Sequence, residues 1–152
     1  MENLTNTHTM ENIQEKNFTF FRFEDLRIYH KALDYVKLIH KMTYDYEKPV
    51  DIQLAEKFSN AAHNIALNIA EGSARNKSQF IYYLKMAKSA VRECLVYNTI
   101  SYNSDLISEA LELESRGQLM EMTKMIGALI SSLQRTITKD EDVEERIEAN
   151  TY

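Results

Sequence analysis

The sequence predicts an all-α protein, an antiparallel up-down-up-down four-helix bundle, and three observations lead there. Apolar residues recur at steps of three and four along most of the chain, the period of a helix with one buried face. Glycine occurs three times and proline once in 152 residues, too few for the frequent turns that a sheet-rich fold requires. The polar breaks between the periodic stretches are short, and short connections join antiparallel helical neighbours. With 44% hydrophobic and 27% charged residues, the composition is that of one globular domain, not of a disordered chain.

Taken in order, residues 1–21 are polar and weakly periodic, and read as a flexible arm ending in Phe18, Phe20 and Phe21. The first helix starts near Phe23, with Glu24 and Asp25 at its positive end. Its expected stripe is Leu26, Tyr29, Leu33, Val36, Ile39 and Met42, and it stops before Lys48-Pro49 because a residue ahead of proline avoids helical angles. The second helix, from about Asp51 to Glu71, carries Leu54, Phe58, Ala61, Ile65 and Ile69, and Gly72 suits a left-handed stop after its last turn. Asn76-Lys77-Ser78-Gln79 opens the third helix as a capping-box-like start.

That third helix has a main stripe of Phe80, Leu84, Ala87, Val91 and Cys94. It also carries Ile81, Tyr82, Tyr83, Met86, Leu95, Val96 and Tyr97 around it. A helix that apolar over more than half its circumference needs cover on a second face. Ile81, Tyr82, Tyr83, Met86, Leu95 and Val96 are therefore the expected interface of a homo-oligomer. After the turn Asn103-Ser104-Asp105, Ser108 caps a fourth helix that runs to about Thr138 along Leu111, Leu119, Met122, Ile126, Leu129, Leu133 and Ile137. Gly117 and Gly127 lie inside it, as sites of close helix approach or as tolerated residues. From Lys139 the chain turns acidic and reads as a frayed or disordered tail.

The residues at the second joint carry a resemblance. Phe23-Glu24-Asp25-Leu26 with Ile28-Tyr29-His30-Lys31-Ala32, the string Asn68-Ile69-Ala70-Glu71-Gly72, and Phe80, Leu84, Ala87 and Glu93 together resemble the four-helix bundle proteins encoded by intervening sequences in bacterial 23S ribosomal RNA genes. The resemblance covers roughly residues 22–137. It implies a left-handed antiparallel bundle, assembly into a ring that is typically a pentamer, and no enzymatic activity. It also implies similarity to the accessory protein of diversity-generating retroelements, which binds reverse transcriptase and nucleic acid. Three positions depart from the family pattern: Ala66 and Leu67 stand where Pro and Ser are frequent, and Leu95 replaces a second acidic residue.

Little here points to catalysis. Cys94 is the one cysteine, so a cysteine metal cluster or disulfide framework within the chain is ruled out. No glutamate has a histidine three residues later, and His30, His40 and His63 lack zinc-site spacing. No glycines cluster into a phosphate-cradling loop. The expectation is no cofactor, no metal and no enzyme activity. The start of the chain lacks a signal-peptide pattern, and no apolar run approaches the roughly 18 residues that span a membrane, so the expected location is cytoplasmic. Glu71 opposes the helix dipole at a C-terminus, which calls for a partner such as Arg75, the amides of the next helix, or another subunit. Glu93 poses the same question, with a base on a neighbouring helix as the expected answer.

The net charge of −5 is unevenly spread: residues 1–21 carry −2, residues 140–152 carry −5, and the body between them carries +2. Between Glu71 and Glu93 there are no acids but five bases: Arg75, Lys77, Lys85, Lys88 and Arg92. Spacings of three and four place Lys85, Lys88 and Arg92 on one side of the third helix. Arg75 and Lys77 add charge at its positive N-terminus, and Tyr82 and Tyr83 are available to stack on unpaired bases. The expectation is an oligomeric module that binds RNA or DNA through this stripe, as accessory to a nucleic-acid enzyme. The alternative is a protein-binding scaffold without nucleic acid, whose apolar groove takes a partner helix.

Overall fold

Each helix boundary has a local cause. In the computed structural model, which describes residues 20–151, a single 3-10 turn (Arg22–Asp25) leads into α1 (Arg27–Thr43), α2 (Pro49–Ser73), α3 (Lys77–Asn103) and α4 (Glu109–Ala149). Pro49 opens α2, where its missing N–H costs nothing. Asn76 caps α3, its side chain accepting from the Gln79 amide at 2.9 Å, and Ser108 caps α4 by accepting from Leu111 at 3.2 Å. Asp105 takes the left-handed conformation (φ 58°) that turns the chain between α3 and α4.

The partners of α1 and α4, and those of α2 and α3, run in opposite order, so each of these two pairs is antiparallel. On α1 and α4, Lys31 meets Glu121 while Tyr35 meets Ser115. On α2 and α3, Phe58 stacks near Tyr97 while Gly72 abuts Tyr83. All four helices contribute to one core, in which Tyr35, Phe58, Ile39, Ile65, Ile69, Leu84, Cys94, Met122 and Ile126 are fully enclosed. Among the described residues no strand occurs, and no helix is long and apolar enough to cross a membrane. The arm expected over residues 1–21 lies almost wholly outside the described residues.

Three features differ from the sequence reading. The buried stripe of α1 is Ile28, Ala32, Tyr35, Leu38, Ile39 and Met42, rotated from the expected one. Leu26, Tyr29 and Val36 lie at its edge and Leu33 is exposed. Tyr35 causes the rotation: its phenol finds Ser115 on α4 at 2.9 Å, so a nominally amphipathic ring goes inward and Leu33 turns out. Gly72 is not a left-handed stop. It is helical, α2 ends at Ser73 with Ala74 at φ −84°, and no glycine among the described residues has positive φ. Finally, the acidic segment after Thr138, expected as a frayed or disordered tail, is helical, since α4 continues to Ala149. Glutamates are good helix formers and the ladder is already nucleated.

Gly117 and Gly127 face open space, with no atom of a neighbouring element within 4 Å of where a Cβ would stand. Neither mediates a helix approach. Gly117→Ala and Gly127→Ala should each stabilise the fold by up to about 1 kcal/mol through helix propensity alone, read as a higher urea midpoint.

Burial, reinforced by nearby Glu93, pushes the Cys94 thiol from its ordinary 9.0 up to about 12. A raised thiol pKa means the unfolded chain loses this proton first as pH rises. The associated stability is therefore present below the ordinary value and lost as pH climbs toward 12. Native protein should resist thiol reagents at neutral pH and react fully in urea.

Candidate nucleic-acid interface

The surface of α3 divides by helical angle. Leu84, Ala87, Val91, Cys94 and Asn98 enter the core, and Ile81 is buried with them. Tyr83 leans toward α2, and Leu95 packs half-buried at the core's edge. Of the six apolar residues assigned to an oligomer interface, Ile81 is thus taken by the monomer's own core, and Tyr83 and Leu95 are largely used there. Tyr82, Met86 and Val96 remain, and Ile100 joins them. These four expose 41–59% of their surface and follow one another around the same side of the helix. Glu93 lies among them, exposed, and forms no ion pair among the described residues.

The five expected cations separate into two groups. Arg75 is held by Glu71, with its Nε donating at 3.2 Å, and its guanidinium lies 5.7 Å from the centre of the Tyr83 ring. Glu71 therefore has the structural partner its position demanded. Lys77 donates to Asp140 of α4 at 2.9 Å. Both charges are thus locally compensated.

Lys85, Lys88 and Arg92 differ: among the described residues they form no ion pair, and Arg92 donates only to Ser89 at 3.2 Å. They lie between the exposed apolar stripe and the α4 side of the helix. Two further cations from α4, Arg116 and Lys124, border the same area. Sequence spacing along one helix had no means of joining them to α3. Arg116 is paired with the mostly buried Glu112 through Nε at 2.8 Å and Nη2 at 2.7 Å. Asn98 donates to the Glu112 backbone carbonyl at 3.2 Å. Lys124 has no ion pair among the described residues.

The joint residues are structural. Asn68 donates to the Asn64 carbonyl at 2.8 Å, Gly72 admits α3 against α2, and Asn76 caps α3. A Cβ on Gly72 would fall 2.6 Å from Cβ of Tyr83 and 2.8 Å from Cδ2 of Phe80. Ala66 and Leu67 sit in an unbroken helix. His63 stacks edge-on with His40 at 5.3 Å, and His40 meets Ser59 Oγ at 3.2 Å. Among the described residues no three His, Cys, Asp or Glu side chains gather as a metal site.

No match was found among curated proteins. The family model of the 23S rRNA-intervening sequence protein matches residues 24–128, a span that takes in α1, the Gly72 joint, the basic side of α3 and most of the bundled part of α4. Sequence match and four-helix architecture agree, and the chain belongs to the 23S rRNA-intervening sequence protein family.

Proposed function

We propose that this chain is a non-enzymatic, homo-oligomeric bundle that binds nucleic acid through Lys85, Lys88 and Arg92, serving as accessory to a nucleic-acid enzyme. One observation carries the reading: these three cations share one side of α3 and are left without acidic partners among the described residues, while Arg75 and Lys77 are compensated. A helical face that keeps unpaired like charges together repels itself slightly, and phosphates relieve that repulsion. The family's name ties its members to a ribosomal RNA gene and supports a nucleic-acid role of this kind.

Assembly follows from the adjacent stripe. Among the described residues, Tyr82, Met86, Val96 and Ile100 form a row on α3 that the other helices leave 41–59% exposed, and such a row is a contact surface for a second copy. Repetition around a ring, of the five copies that the family resemblance implies, multiplies the basic stripes and raises avidity without new contacts. Titrating single-stranded RNA and DNA oligonucleotides into the protein tests the reading. It predicts saturable binding that weakens steeply with added salt. Weak, non-saturating binding at low salt overturns it and favours the protein scaffold.

A further inference from the structure

Beyond Asp140, the last turns of α4 make no hydrogen bond or ion pair to another element among the described residues. At 1.5 Å per residue the 41 residues of α4 extend about 60 Å, against about 40 Å for the 27 residues of α3. Asp140 stands beside Lys77, the first residue of α3, so the turns after it project past the end of that helix. The apolar residues of α4 that pack on the core end at Ile137. Beyond them Val143 and Ile147, four residues apart and so on one side, are 54% and 61% exposed. Glu144 and Glu148 follow them around the helix, and residues 140–149 carry six acids against one arginine. An unsupported helical stretch of this length is marginal by itself.

A surface of opposite character lies at mid-bundle. Between α3 and α4, Val91, Leu95, Leu119 and Met120 floor an apolar slot of about 230 Å³, room for one or two side chains. Arg92, Arg116 and Lys124 stand at its rim, and Met120 is 55% exposed. Within one chain the two cannot meet. The slot lies about 22 Å along α3 from Lys77, in the direction away from the projecting turns.

We propose that residues 140–149 of α4 dock on this slot of a second copy of the chain, with Ile147 entering it and Glu144 and Glu148 facing Arg92 and Lys124. Apolar anchor and charge are both complementary, the helix-in-groove mode with electrostatic steering. The second copy is the occupant that the charge selects. Residues 1–19 are themselves net acidic and do not match the acidic extension. The docked helix lies over Arg92, so copies joined this way shield part of the basic stripe. Docking draws on the assembly reading above only in needing two copies.

Two full-length variants test it, Ile147→Cys in one preparation and Met120→Cys in another, with fully buried Cys94 left in place. Mixed under mild oxidation, they should give a disulfide-linked two-chain species well above a control that pairs Ile147→Cys with Lys41→Cys on exposed α1 surface. The link should be lost when the slot also carries Arg92→Glu and Lys124→Glu, and return when Glu144→Lys and Glu148→Lys are placed on the Ile147→Cys chain. A yield no higher than the control overturns the proposal. If the unmodified chain is nonetheless multimeric by light scattering, assembly through α3 stands and only tail docking falls. If Ile147→Cys is shielded from thiol reagents without linking to Met120→Cys, another segment covers it, and the proposal is overturned as well.

Discussion

Replacing Lys85, Lys88 and Arg92 together by glutamate should lower affinity for single-stranded RNA or DNA by at least a factor of about 100. A lysine or arginine near a polyanionic surface contributes about 1 kcal/mol. Three such losses give about 3 kcal/mol, which is roughly a hundredfold, before any repulsion from the new carboxylates. The slope of log affinity against log salt should also flatten, by about 0.7 for each single-strand phosphate contact removed. Arg75→Ala and Lys77→Ala act as the contrast. Arg75 is engaged by Glu71 and Tyr83, and Lys77 by Asp140, so these substitutions should change affinity little. All three stripe residues lie outside the core, and helical content should be unaffected. Unchanged affinity in the triple variant removes the stripe as a binding surface.

Gly72→Ala should destabilise the fold even though it replaces glycine by the best helix former. Helix propensity alone favours alanine by about 1 kcal/mol. Against this, the new methyl would lie 2.6 Å from Cβ of Tyr83. A Cβ moves only with its backbone, so no rotamer change relieves the clash and α2 and α3 must separate. Overpacking of this kind costs about 1–3 kcal/mol, leaving a net loss of up to about 2 kcal/mol, with a larger loss for Gly72→Val. Urea unfolding measures it as a lowered midpoint at constant slope. A stability gain matching that of Gly127→Ala would show that the two helices are not in close contact at Gly72.

The contrast between these glycines shows what could be seen in the sequence. The helices were legible because their signals are local: Pro49 at a start, Asn76 and Ser108 at caps, and apolar residues at three- and four-residue steps. The joint string around Gly72 pointed to the family, and the family match agrees. The reason for the glycine was not legible, because it lies in Tyr83 and Phe80 of the opposing helix. The rotation of α1 depended on Ser115, eighty residues downstream of Tyr35. Likewise, Ile81 looked surplus only while the share of α3 covered by α2 and α4 was unknown. Of the basic residues, spacing found those on α3, but it could not show that Asp140 engages Lys77 or that Arg116 and Lys124 extend the patch. In each case a periodic pattern gave the face, and a distant residue decided its use.

The assembly proposed here begins with the row Tyr82, Met86, Val96 and Ile100 being covered by another molecule of the same chain. Sedimentation or light-scattering mass of the purified chain across a wide concentration range tests whether copies associate, and Met86→Glu with Val96→Glu tests whether they do so through this row. A discrete multiple of the 17.8 kDa chain that persists on dilution is the expected result. A well-folded species of 17.8 kDa at every concentration, with that row exposed to water, would contradict it.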